Sequence, residues 1–198
     1  MDITNLREFY DTIQDETPLP KRTWLMDALN DLQLGHQYMH TLMHNLSRYD
    51  TESKFPRSRD QVLIHRKMCA VVARVVYRYA TFERYKMDIM REHGFDDVRN
   101  KLAAMMPRRE GKTVGSAQFY AAMLVSIPWS NICLVASNQR AAGQTGLSGH
   151  VKYFLCTVFG KRENTKDFKF NNGSVIELKQ VGLDVPKFKC YPGGAKNK

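Results

Sequence analysis

Met106-Pro107-Arg108-Arg109-Glu110-Gly111-Lys112-Thr113 is the stretch on which the reading of this chain turns. Leu102-Ala103-Ala104-Met105-Met106 ahead of it reads as a short buried strand. Val114 to Ile127 behind it carries no charge and reads as a packed helix. Gly-Lys-Thr at a strand-to-helix junction has a mechanical meaning. Gly111 lets backbone N–H groups approach an anion, Lys112 reaches outer phosphates, and the Thr113 hydroxyl ligates magnesium. The helix N-terminus adds a positive field. Backbone amides from Arg109 to Thr113 would form the cradle, so Arg109, Glu110, Gly111, Lys112 and Thr113 are the candidate nucleotide-binding residues. The usual pattern is G-x-x-x-x-G-K-[ST], and Met106 stands where its first glycine belongs. A basic turn opening an ordinary helix would carry the same tripeptide.

Around this stretch lie 198 residues, enough for one good core or for a small domain with a helical extension. The formal net charge is +10, which favours a polyanionic partner, nucleic acid before an acidic membrane surface. A merely solvated surface would give the same balance, because the charge is also spread along the helices. Cys69, Cys133, Cys156 and Cys190 show no C-x-x-C spacing and suit free or buried thiols in a reducing compartment. The start, Met1-Asp2-Ile3-Thr4-Asn5, has no signal-peptide character. Thr113 to Gln139 is uncharged and long enough to span a bilayer, but Pro128-Trp129-Ser130-Asn131 interrupts it with turn chemistry. A buried helix followed by a buried parallel strand accounts for it better, and no membrane is expected.

Residues 1–93 read as almost wholly helical. A short helix is expected from Asn5 to Asp15, stopped by Pro18 and Pro20, and a second one from about Thr23 to Leu46. Tyr49 to Arg59 is polar, contains Pro56 and reads as a loop. One long helix is expected from Asp60 to Arg91, with Ile64, Met68, Val71, Val72, Val75, Val76, Tyr79 and Phe82 as its apolar stripe and Gly94 as its C-terminal cap. Residues 94–198 then alternate strand and helix, which argues a parallel α/β sheet. Asn171-Asn172-Gly173 between Phe168-Lys169-Phe170 and Val175-Ile176-Glu177-Leu178 is a hairpin signal. The tail from Lys187 to Lys198 is basic and glycine-containing, without a closing element.

Pro107-Arg108-Arg109-Glu110-Gly111-Lys112-Thr113, with an apolar residue at the first glycine position, resembles the large terminase subunit, the ATPase motor that packages DNA into herpesvirus and tailed-phage capsids. Ile132-Cys133-Leu134-Val135-Ala136 resembles that family's second strand, and Ser137-Asn138-Gln139-Arg140-Ala141-Ala142 its turn into the next helix. Phe170-Asn171-Asn172-Gly173-Ser174-Val175-Ile176 resembles its Phe-x-Asn-Gly-Ser hairpin. The pieces follow the family's order over residues 100–182. The resemblance implies ATP and magnesium as cofactors, and double-stranded DNA, a portal and a small terminase subunit as partners. It also implies a homo-oligomeric motor, in the host nucleus for a herpesvirus-like protein or the host cytoplasm for a phage. In the family the arginine at the Arg108 position acts on the nucleotide as a sensor or finger, so Arg108 is the catalytic candidate. An Arg fork stabilises charge on a transferring phosphoryl group, although a solvent-facing Arg or a partner of Glu110 would look the same.

The fold class expected is therefore α/β: an incomplete P-loop NTPase-type parallel sheet preceded by an all-helical N-terminal region. Residues 1–93 would be the helical region and 94–198 the first part of the ATPase domain. An apolar run ending in Asp-Glu should follow the loop and supply a magnesium-holding acid and a water-positioning glutamate. None follows Thr113, and Val175-Ile176-Glu177 is the nearest candidate. The expectation is a chain cut before that acidic strand: one exon, one reading frame or a piece of a longer motor. A helicase-type ATPase fragment shares the loop. A basic helical DNA-binding or scaffold protein, for which Gly-Lys-Thr is a coincidence, is the alternative of another class.

Other constellations compete less well. His36, His40 and His44 recur every four residues, a spacing that brings imidazoles within reach of one metal, but no acid or thiol completes the set nearby. The family's adenine-contacting glutamine has no match near the loop, and Gln61 lies far upstream. Tyr85 suits a core aromatic better than a base-stacking one. Lys187, Phe188, Lys189, Tyr191, Lys196 and Lys198 mix charge and rings as nucleic-acid contacts do, and as a loose end would.

Overall fold

The computed structural model describes residues 19–99, 101–104, 111–136, 146–163, 168–171, 175–178 and 187–192. The helix expected over residues 5–15 and the turn expected over 137–142 lie outside them. In chain order the elements are α1 (Leu19–Ser47), α2 (Tyr49–Glu52), α3 (Arg59–Val76), α4 (Tyr79–His93) and α5 (Lys112–Ser126). Then come β1 (Asn131–Ala136), α6 (Leu147–Thr157), β2 (Phe168–Asn171), β3 (Val175–Leu178) and β4 (Lys187–Pro192). The chain forms two compact units, each discontinuous in sequence: Met1–Met39 with Ala70–Leu102, and His40–Cys69 with Ala103–Lys198. The division falls within α1 and within α3.

The first unit is helical. The helix expected to begin at Thr23 begins at Leu19, with Pro20 in its first turn, where a missing N–H costs no helical hydrogen bond. The single helix expected from Asp60 to Arg91 is two. α3 ends at Val76, Tyr77 still bonds back to the Ala73 carbonyl, and Arg78 adopts φ 57°, ψ 144° before α4 begins. Neither glycine nor proline marks this break. What holds it is the burial of Tyr77, which is fully enclosed. Gly35 on α1 makes room for it: a Cβ there would stand 2.2 Å from Tyr77 Cδ1. The break splits the expected stripe: Val76 and Phe82 are buried, but Val75 is 49% and Tyr79 68% exposed, and Ala73 and Tyr77 are buried outside it. Leu32, Met39, Phe82, Ile89, Phe95 and Val98 complete this core. Arg74 lies over the Phe82 ring at 5.3 Å and pairs with Glu83 at 3.0 Å. Tyr85 is half-buried and non-helical (φ −109°, ψ 21°), kinking α4. Gly94, as expected, caps α4 in the left-handed region (φ 61°), with Gly94 N–H donating to Arg91 and Phe95 N–H to Met90.

The second unit contains a four-stranded sheet of order β1-β4-β3-β2. The hairpin forms as expected, β2 antiparallel to β3 with Asn171 opposite Val175. The expected parallel sheet forms in part: β1 and β4 are parallel, whereas β3 and β4 are antiparallel. The tail expected to lack a closing element supplies β4, an inner strand. Its Lys-Phe-Lys-Cys-Tyr alternation has the period of a strand, and Phe188 is fully buried. No strand forms over residues 101–104, where Leu102 is 41% exposed, and residues 105–106 lie outside the described set. α5 and α6 pack on each other, and Tyr120 on α5 meets Phe188 on β4 at 6.0 Å between ring centroids. Ala117, Ala121, Ala122 and Leu124 are buried on α5, and Val151, Phe154 and Leu155 on α6. The supposed loop after α1 contains α2, whose Tyr49 is fully buried against Phe154 at 5.1 Å and Phe159 at 5.7 Å. Among the described residues, no helix is long and apolar enough to cross a membrane.

Arg78 supplies a test of the helix break. Its backbone region is one that only glycine enters without cost, so Arg78→Gly should stabilise the chain by about 1 kcal/mol after the loss of unfolded-state restriction. Urea denaturation of the two proteins measures the difference. A destabilised variant would show that the break carries no strain.

Candidate functional site

The N-terminus of α5 holds the described part of the loop. Gly111 is its N-cap, in the left-handed region at φ 70°, ψ 23°. The first turn has no acidic residue and no side-chain cap. Lys112 and Thr113 are exposed on that turn, while Gly115, Ala117, Gln118 and Phe119 beyond it are buried. Charge and hydroxyl therefore stand at the solvent end of an otherwise packed helix. Arg108, Arg109 and Glu110 lie outside the described residues, so Gly111, Lys112 and Thr113 are the expected site residues that the fold is seen to bring together.

α3 grips this junction through two residues that sequence reading left unassigned. Ser58 and Gln61 form a reciprocal cap at the start of α3. The Ser58 N–H donates to Gln61 Oε1 at 2.9 Å, and the Gln61 N–H donates to Ser58 Oγ at 3.2 Å. The other end of the same amide, Gln61 Nε2, donates to the Gly111 carbonyl at 3.3 Å. One turn along, His65 Nε2 lies 2.8 Å from the Gly115 carbonyl, which only accepts, so Nε2 bears the proton. Four residues separate each pair, so two successive turns of α3 hold two successive turns of α5. The glycines leave space for this. A Cβ on Gly111 would meet Gln61 Nε2 at 2.7 Å, and one on Gly115 would meet it at 3.3 Å.

Further polar bonds continue the grip along α5. Gln118 Nε2 donates to the Phe55 carbonyl at 2.7 Å, and Tyr49 Oη donates to the Gln118 carbonyl at 2.9 Å. Asn45 Nδ2 donates to Ser126 Oγ at 2.9 Å. The Ser-x-x-Gln spacing at Ser58–Gln61 was a legible cap signal. Nothing in the sequence tied it to a loop fifty residues on.

His36, His40 and His44 do not converge. His40 and His44 are exposed, whereas His36 is half-buried and bonds to Tyr77 and His93. Among the described residues, no group of three or more His, Cys, Asp or Glu is placed to hold a metal ion. Glu177 stands on β3, opposite Lys169 of β2 and Lys187 of β4 in the strand register. Cys69 is buried, which pushes its thiol up to about 12, and Cys133 is exposed; both are free. No protein-family model matches the chain, and no curated protein is detectably similar to it.

Burial dominates the His65 imidazole and lowers it to about 4, against the upward pull of its bond to Gly115. The folded state therefore holds His65 neutral where the unfolded chain, titrating at about 6.5, is already charged. The stability tied to neutral His65 is full above the unfolded value and is lost as pH falls toward 4. Lowering the pH from 7 to 5 should cost about 2 kcal/mol through this group. His65→Gln should remove that share of the pH dependence, as read from urea midpoints at the two pH values. Gly111→Ala should destabilise by about 1–2 kcal/mol, because it adds a left-handed φ cost to the collision with Gln61. Gly111→Ala as stable as wild type would refute the close approach.

Proposed function

We propose that Gly111, Lys112 and Thr113 form the phosphate- and magnesium-binding end of a nucleotide site in a viral DNA-packaging ATPase of the large-terminase type. The observation that carries this reading is the left-handed Gly111 at the head of α5, with Lys112 and Thr113 exposed on an acid-free first turn. Such a turn directs backbone N–H groups and the positive end of the helix toward an anion. Lys112 would neutralise the outer phosphates of ATP and Thr113 would ligate Mg²⁺. Arg109 and Glu110 would extend the backbone cradle, and Arg108 would act on the transferring phosphoryl group. Gln61 and His65 position the junction from α3 and take no part in the chemistry. Double-stranded DNA, a portal, a small terminase subunit and further copies of the chain are the partners this reading entails. A P-loop-type sheet is part of the same reading.

A helicase-type ATPase would use the loop in the same way. The second reading, a basic helical DNA-binding or scaffold protein, is favoured by the net charge of +10. Salt dependence of DNA binding separates the two poorly, since both readings predict a steep slope. Nucleotide dependence separates them well. Calorimetry should show Mg-ATP binding to wild type and a loss of at least about tenfold in Lys112→Ala. Tight DNA binding with no ATP binding, unchanged by Lys112→Ala, would establish the second reading. Turnover by the 198-residue chain should be negligible even when ATP binds, because no apolar strand ending in Asp-Glu follows Thr113 in this sequence. Robust turnover abolished by Glu177→Gln would overturn that expectation and make Glu177 the catalytic carboxylate.

A further inference from the structure

The lysines and rings that the sequence mixes in its basic tail are sorted by the sheet onto opposite faces. In the strand register Phe168, Phe170, Ile176, Ile132 and Phe188 share one face. Lys169, Glu177, Lys187 and Asn131 form a row across the four strands on the other. Lys189 lies on that second face too, opposite Cys133 and Val175. Ile132 and Phe188 are buried, whereas Asn131, Cys133 and Lys189 are exposed. α5 and α6 pack on each other and both reach the sheet, α5 with Tyr120 against Phe188. Both helices therefore lie on the apolar face.

A sheet covered by helices on both faces has strands that are apolar on both. Here the alternation is apolar on one face and polar on the other, so the second face suits water or a polar partner. Its charge is mainly positive: lysine at positions 169, 187 and 189 against Glu177, in the register given above. A Lys-Glu-Lys row also suits cross-strand ion pairing, but one carboxylate neutralises one lysine and a positive excess is left. The placement of the rings narrows the partner. Single-stranded nucleic acid is held by bases stacked on aromatic side chains. Phe168, Phe170 and Phe188 fall on the apolar face, and Tyr191 alone among these aromatic positions shares the face of Lys189. Cations without a stacking platform suit the phosphates of a duplex.

We propose that the face of the sheet opposite α5 and α6, carrying Lys169, Lys187 and Lys189, binds the phosphate backbone of double-stranded DNA. The identity of the partner rests on the reading given above, which entails duplex DNA; the surface itself does not depend on the nucleotide site. β4 is an inner strand, so positions 187 and 189 sit within the sheet and not at a loose edge. Burial of Phe188 against Tyr120 fixes the phase of β4, and with it the face on which those positions fall. Neighbouring strands stand ~4.8 Å apart, and alternate residues of one strand roughly 6.6 Å apart, so the three lysine positions span a patch a few phosphates wide. Contacts of this kind position the duplex and carry no sequence preference.

Fluorescence anisotropy of a short labelled duplex, titrated with the full 198-residue chain at several salt concentrations, tests this. Replacing Lys169, Lys187 and Lys189 together by Gln should weaken binding by about tenfold or more and lower the salt slope by about 2.7, the share of three phosphate contacts. Its Mg-ATP affinity should match wild type. Replacing Arg59, Arg66 and Lys67, exposed on α3, by Gln removes the same charge and should leave the slope nearly unchanged. In the wild type, bound duplex should protect lysines 169, 187 and 189 from acetylation, a readout that needs no variant to fold. Equal losses in the two triple variants, unprotected lysines at these positions, or tighter binding of a single strand of the same length would overturn the proposal. Protection of the three lysines in a chain that fails to bind Mg-ATP would sink the nucleotide reading and leave this surface standing.

Discussion

The grip of α3 on the head of α5 is the constraint on which the sheet-containing unit depends. α5 is an uncharged helix after Lys112, with buried small residues on several sides, so apolar packing alone would let it slide or rotate. Hydrogen bonds from Gln61 and His65 to the carbonyls of Gly111 and Gly115 fix both its height and its rotation. Each bond adds only about 1 kcal/mol, but losing one partner strands a buried polar group at greater cost. That asymmetry makes the pair specifying as well as stabilising. It also explains two glycines in one turn of a helix that would otherwise favour alanine: the Gln61 amide occupies the space where a Cβ would be.

The same device has a chemical consequence. The bond from Gln61 to the Gly111 carbonyl anchors the head of α5. Lys112 and Thr113 then stand on a fixed scaffold and need not be positioned by the loop itself. On the proposed reading, the site would be preorganised by groups that never touch the ligand. In the helical unit the corresponding constraint is Tyr77, whose burial beside Gly35 ends α3 without a breaker residue and places Arg78 in a region unfavourable to its side chain.

Local chemistry was legible where it acted locally. The Gly94 cap, the β2–β3 hairpin, the strand at Asn131–Ala136 and the charge-free helix opening at Lys112 all follow from propensity, turn residues or period. The Ser58–Gln61 cap, which carries a local signal of the same kind, went unread. The errors share another cause. Of the apolar stripe expected from Ile64 to Phe82, Val76 and Phe82 are buried, but Ile64, Met68, Val71 and Val72 are only half-buried and Val75 and Tyr79 are exposed. The buried positions of α3 are Gln61, His65, Cys69, Ala70, Ala73 and Val76. Two of those are polar because their partners are carbonyls of a helix fifty residues away, and hydrophobicity patterns are blind to such partners.

Sequence by itself determined that a helix opens at Gly-Lys-Thr after a turn-forming glycine, that a hairpin follows, and that helices dominate the first half. Those features rest on interactions spanning a few residues, which composition and spacing encode directly. Only the tertiary structure decided that Lys187–Pro192 of the basic tail is an inner strand between β1 and β3, that one helix becomes two at Tyr77, and that Gln61 and His65 belong to the Gly111 junction. Each of those depends on a partner far along the chain: a strand edge to pair, a glycine to pack beneath, a carbonyl to bond. Nothing in a local window specifies which distant group will be there, so the fold alone chose among placements the sequence left equal.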